Sequence, residues 1–171
     1  MERILPDARR REKAAQRNAG QERDFKEKPN VVRKLQIETP GQGLHEITSQ
    51  VRTAVRESGC SAGLCTVMIL HTSASLLIQE NADPSAKRDL ERWLNRLVPE
   101  NDALYTHTVE GPDDMPAHIK AALTATTLSI PIVDGRPALG AWQGIYLWEH
   151  RHDGGDRTVL VHVLGDCGTT R

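Results

Sequence analysis

Gly140-Ala141-Trp142-Gln143-Gly144-Ile145-Tyr146-Leu147-Trp148-Glu149-His150-Arg151 is the stretch on which the fold turns. It is rich in aromatic and branched residues and reads as a long strand. Side chains alternate across a strand, so Gln143, Ile145, Leu147, Glu149 and Arg151 share one face, and Trp142, Tyr146, Trp148 and His150 share the other. The aromatic face forms an apolar strip suited to packing on a helix layer or a neighbouring subunit. Glu149 and His150 cannot point into one pocket without a bulge. Gln143 and Glu149 share a face but lie about 20 Å apart at ~3.3 Å per residue, in two parts of one large site or in two sites. His150 and His162 read as packed or solvated strand histidines.

Working outward, residues 157–164 (RTVLVHVL) follow Gly154-Gly155 and read as a strand forming a hairpin with 141–151. Residues 127–133 (TLSIPIV) form another, in which Pro131 favours an edge or a bulge, and Asp134-Gly135 is a turn. The apolar run 63–70 (GLCTVMIL) suggests a strand buried on both faces. Residues 31–38, 75–79 and 105–108 add shorter strands. Ile47, Val51, Ala54 and Val55 recur at helical spacing between Glu46 and Ser58, with Gly59 as the stop. Asp83-Pro84 starts a second helix with an N-cap carboxylate and a first-turn proline, and Leu90, Trp93, Leu94 and Leu97 form its stripe. A third runs from an Asp114 cap to about Ala125. The order β-α-β-β-α-β-α-β-β-β predicts an α+β fold with a mixed, largely antiparallel sheet and about three helices.

The 171 residues suit about one domain. Residues 1–30 read as a charged, mobile tail, and 31–171 as the single domain. Residues 1–28 carry a net charge of +3 and the remainder −4. The acids nearly offset the bases in the tail, so a net charge of −1 gives no case for nucleic-acid binding. No apolar run approaches the ~20 residues of a membrane span, and no signal-peptide core is visible. The expected location is the cytoplasm, with no membrane partner. Cys60, Cys65 and Cys167 form no CxxC, which supports neither a disulfide framework nor a thiolate zinc site.

Four polar clusters sit at strand ends or helix starts. His71-Thr72-Ser73 brings a histidine and two hydroxyls to the rim of a sheet, which a turn alone would not demand. In Asn81-Ala82-Asp83-Pro84 the cap accounts for Asp83 but leaves Asn81 to offer an amide to substrate. From His107 to His118, helix initiation accounts for Asp114 and Pro116 but not for Asp113 or His118. An early-helix histidine is disfavoured when charged, and the neutral form binds metal or acts as a base. The fourth cluster is the strand at 140–151. His71, His107 and His118 form the candidate metal set, although spacings of 36 and 11 match no local ligand motif.

Together, HTSAS at 71–75, ENADP at 80–84, HTVEGPDDMPAHIKAAL at 107–123 and IPIVDGRPALGAWQGIYLWEHR at 130–151 resemble the YjbQ family, often described as secondary thiamine-phosphate synthase-like. The resemblance covers nearly all of residues 31–166. It implies a compact α/β sandwich assembling as a homotrimer, with the motif residues gathered in a cleft near subunit boundaries. Residue by residue it extends to His71, Ser73, Asn81, Asp83, His107, Asp113, Asp114, His118, Gln143 and Glu149. The implied activity joins a hydroxymethylpyrimidine diphosphate to a thiazole phosphate with release of diphosphate.

In that reading Glu149, His118 and Asp114 are catalytic. Ser73, Asn81, Asp83, Asp113 and Gln143 bind a small phosphorylated metabolite, and His71, His107 and His118 hold a divalent ion, Mg2+ or Zn2+. The rival reading is a non-catalytic trimer that binds a metabolite or a partner.

Overall fold

The computed structural model describes residues 30–168; nearly all of the tail assigned to 1–30 lies outside them. Eight strands and three helices follow one another: β1 (Asn30–Thr39), β2 (Gly43–Glu46), α1 (Thr48–Glu57), β3 (Cys60–Ile69), β4 (Ala74–Glu80), α2 (Pro84–Leu97), α3 (Asp114–Leu123), β5 (Thr127–Val133), β6 (Arg136–Pro137), β7 (Gln143–Glu149) and β8 (Gly155–Cys167). They form two sheets, ordered β1-β8-β3-β5-β6 and β2-β7-β4. Every strand pair is antiparallel. The α+β expectation holds, with two curled sheets in place of one mixed sheet.

β7 is the shared wall. Ile145 and Leu147 join Val67, Val159, Val161 and Ile130 in the core between the sheets, which α1 closes with Val51, Ala54 and Val55. Tyr146 and Trp148 face the other way and pack with Leu44, Leu94 and Val98 in a second core under α2. The aromatic strip thus meets a helix layer as its pattern implied, except for exposed Trp142. α2 begins as read: Asp83 accepts from the N–H of Ser85, and Pro84 occupies the first turn.

Several expectations are corrected. β7 and β8 form no hairpin, because they belong to different sheets. A strand that feeds cores on both faces must lie inside the molecule, whereas β8 alternates between buried and partly exposed residues and belongs to an outer sheet. The crossing between them passes so close to β1 that a Cβ on Gly154 would fall within 1.8 Å of the Thr39 carbonyl oxygen. β3 buries only one face: Cys65, Val67 and Ile69 are inside, while Leu64 and Met68 are exposed. Residues 105–108 form no strand. Asp114 is not the cap of α3 but its first residue; Asp113 holds the cap position and its side chain caps nothing, being engaged by Arg151. A disulfide joins Cys60 to Cys167 across 107 positions, a pairing no local spacing reveals. Cys65 remains free, and burial pushes its thiol up to about 11.

Leu147 is fully buried between the sheets. Leu147→Ala is expected to cost about 2–5 kcal/mol of stability, read as a lower urea midpoint with an unchanged slope.

Candidate metal and anion site

Three segments meet at one end of the β2-β7-β4 sheet: residues 71–73 entering β4, the start of α3, and the chain leaving β7. They surround a cavity of about 530 Å3. Asp114 and His118 stand four residues apart on α3 and so share one helix face. His107 approaches from the preceding loop, its ring centroid 5.5 Å from that of His118. One donor atom from each of His107, Asp114 and His118 lies within 4.8 Å of the other two.

The donor chemistry fits a cation. Asp114 is almost wholly buried, and its Oδ2 has no hydrogen-bond partner among the described residues. The Nε2 atoms of His107 and His118 stand 2.8 and 3.6 Å from it. Nδ1 of His118 lies 3.1 Å from the Thr72 carbonyl oxygen, which can only accept, so that contact requires the proton on Nδ1. In neutral His118 the Nε2 lone pair then faces the carboxylate oxygen. A buried carboxylate oxygen facing another electron-rich atom is costly unless a positive charge lies between them.

Arg151 fixes the carboxylates. Its guanidinium donates to Asp113 Oδ2 at 3.0 Å, to Asp114 Oδ1, and to the Glu110 carbonyl oxygen at 2.7 Å. Burial alone would raise the Asp113 carboxyl, but the His152 N–H and Arg151 hold it below its usual value. Asp113 therefore orients the site and does not reach into it.

His71 lines the same cavity but lies outside the three-residue cluster. Its Nδ1 accepts from the N–H of Ser73 at 3.0 Å. Burial first, and the charge of Arg157 second, lower its pKa. The resulting neutral ring carries its proton on Nε2, the form of a hydrogen-bond donor to an anion and not of a metal ligand. Ser73 is buried, with Oγ 3.3 Å from His118 Nδ1, and so supports His118.

Glu149 is fully buried. Its Oε2 accepts from Arg157 Nε at 2.6 Å and from Thr39 Oγ1 at 2.9 Å, and its Oε1 accepts from the Arg151 N–H at 3.1 Å. Burial would raise this carboxyl, yet these donors, Arg157 foremost, hold it lowered. Such a group anchors Arg157 at the cavity wall. Asn81, Asp83 and Gln143 lie at the other end of the sheet: Gln143 pairs with Glu80 while Glu149 pairs with Ala74, so a single chain does not bring them to this cavity. Arg151, Arg157 and Thr39 were missed from sequence. Arg151 carried one signal, its place two residues beyond Glu149.

The alternation predicted along β7 holds at its end. His150 turns to the helix side, where Nε2 lies 2.9 Å from buried Ser75 Oγ. Burial lowers its pKa to about 3. A histidine depressed in the folded state weakens folding as pH falls below the unfolded value near 6.5. Between about pH 6.5 and 5, above the carboxylate range, His150 should remove stability at up to about 1.4 kcal/mol per pH unit. Urea unfolding at pH 7.5 and 5.0 checks this, with His150→Gln expected to flatten the dependence.

Residues 33–166 match the family model described as UPF0047 protein YjbQ-like. A UPF0047 protein of Synechocystis is 54% identical over 132 residues, covering 77% of this chain and 90% of its own. UPF0047 protein YjbQ of Salmonella typhimurium is 41% identical, covering 78% and 97%. An uncharacterised YjbQ/UPF0047 protein of Clostridium acetobutylicum, solved by crystallography, superposes with a TM-score of 0.67 at 39% identity, covering 78% and 98%. The motifs, the two-sheet fold and these matches agree: the chain belongs to the YjbQ-like UPF0047 family.

Proposed function

We propose that the His107–Asp114–His118 cluster binds a divalent ion and that the cavity beside it takes a small phosphorylated metabolite. The observation that carries this reading is the buried Asp114 Oδ2, which accepts no hydrogen bond among the described residues and faces two imidazole nitrogens at 2.8 and 3.6 Å. Two imidazoles and one carboxylate suit a zinc-class ion better than Mg2+, which prefers oxygen ligands and water. Three protein ligands leave positions open, as in catalytic sites.

Charge supports the same conclusion. Glu110, Asp114 and Asp153 line the cavity against Arg151 and Arg157, so the acids outnumber the arginines and a phosphate needs a further cation. The reaction that the family resemblance suggests is the thiamine-phosphate synthase type. A C–N bond forms from the thiazole nitrogen lone pair while the C–O bond to diphosphate breaks and its electron pair departs with diphosphate. A bound divalent ion would supply positive charge to the leaving group. His71 donates from Nε2 to a phosphate oxygen, and Arg157, held by Glu149, adds charge at the wall. Bond formation asks for positioning and charge neutralisation, and no protein base is required for it, which accords with the enclosed state of Glu149.

Elemental analysis of untagged full-length protein is expected to find about one zinc-class ion per chain, lost in Asp114→Asn and His118→Ala. Wild type should rescue a thiamine-requiring, synthase-deleted strain, and these two variants should not. Metal retained in both variants overturns the centre. Metal without rescue overturns the thiamine assignment and favours the binding-protein reading.

The homotrimer belongs to the same proposal. The outer face of the larger sheet exposes Val32, Leu64, Met68 and Leu164, with Leu64 directly opposite Leu164. An exposed sheet face carrying several apolar side chains is suited to burial against another copy. Assembly also offers a route by which the Asn81–Gln143 end of one chain could approach the cavity of the next. Light scattering should give three times the 19.0 kDa chain mass; a stable monomer at micromolar concentration overturns the trimer.

A further inference from the structure

A second cavity, of about 850 Å3, lies between α1 and the β5–β6 turn, and none of its lining residues lines the first. Its walls carry Arg52, Arg56 and Arg136, with Asp134, Pro137 and Leu139 among the other lining residues. Arg52 and Arg56 stand four residues apart on α1 and so project from one helix face. Arg136 follows a tight turn in which Asp134 and Gly135 both have positive φ, 51° and 72°.

The walls are fixed. The Gly135 N–H donates to the Ser61 carbonyl at 2.9 Å, and the Gly168 N–H to the Gly59 carbonyl at 3.1 Å. The Cys60–Cys167 disulfide lies beside them. A ligand entering here meets a framework already in place, which lowers the cost of ordering it.

The three arginines are exposed, and none of them forms an ion pair among the described residues. Arg56 makes one long contact, Nη2 to Thr53 Oγ1 at 3.4 Å. Like charges four apart on a helix are mildly destabilising. Arg56 gains something from its place in the last turn, but Arg52 and Arg136 do not share that explanation. Guanidinium forks match phosphate oxygens in pairs, and the volume is within the range of small-ligand pockets.

The geometry points to a second ligand site, separate from the His–Asp centre, in which Arg52, Arg56 and Arg136 bind a compact polyanion of the phosphate-ester or diphosphate class. Three cations lining one cavity favour a ligand with several anionic oxygens over a monoanion. Buried Pro137 and half-buried Leu139 offer apolar surface to whatever body carries the phosphates.

The test is amide NMR of the full-length protein titrated with inorganic diphosphate at low salt and neutral pH. Saturable shifts are expected at Gly59, Ser61 and Gly135. In Arg52→Gln/Arg136→Gln the same shifts should need about tenfold or more diphosphate, with no fall in melting temperature. His118→Ala should leave them in place, since any response at Ser73 and His107 reports the other cavity. Amides at 59, 61 and 135 that stay still at millimolar diphosphate, or that titrate identically in the double variant, overturn the proposal.

Discussion

A strand buried on both faces must supply two cores at once, and β7 meets that demand by alternation. Ile145 and Leu147 fill the space between the sheets, while Tyr146 and Trp148 fill the space under α2. Because the side-chain period is two, a one-residue slip would exchange the two sets and misfit both cores. The partners of β7 follow from this. β2 and β4 flank it, the larger sheet and α1 cover one side, and α2 with Ile119 of α3 covers the other. The same phase carries to the end of the strand, where Glu149 goes to Arg157 on one side and His150 to Ser75 on the other. The register that fixes hydrophobic packing therefore also fixes which charged groups reach the site.

At the site, buried charges are held by opposite charges. Arg151 engages Asp113 and Asp114 together, tying the end of β7 to the start of α3. Arg157 and Glu149 form a second, nearly enclosed pair. Breaking such a pair leaves one charge buried alone and is far costlier than loss of a surface ion pair. These pairs orient the groups that remain available, namely the Nε2 atoms of His107 and His118, Asp114 Oδ2 and the N–H of His71. A carboxylate with both oxygens engaged serves the site by position, which is why buried Glu149 and half-exposed His107 contribute so differently.

Much of the fold was legible because its signals are local. Period two marked β7, Asp83-Pro84 marked the start of α2, and helical spacing marked α1. What escaped was non-local. The assignment of β7 and β8 to different sheets depends on which layer each strand covers, and adjacency in sequence is silent on that. The Cys60–Cys167 pair and the Arg157–Glu149 pair have no spacing signature either. In the site, the motif around residues 107–118 brought His107, Asp114 and His118 into view together. The tautomer of His71, which separates a donor from a ligand, depends on one backbone N–H and could not be read from residue type. Asn81, Asp83 and Gln143 were grouped with the site by motif, yet strand length sets them at the far end of the sheet.

The disulfide between Cys60 and Cys167 makes most of the domain a covalent ring. β1, β2 and α1 precede it, and every later element lies within it. The denatured chain is then a loop preceded by an arm of 59 residues, and on the chain-entropy model closing a loop of this length restricts the unfolded state by about 4–5 kcal/mol. Tension applied at the two ends of the chain would bypass the ring. It would load β1 against β8 and could strip that strand away while β3 through β8 stayed threaded together, so the molecule has a mechanically weak edge and a mechanically closed interior.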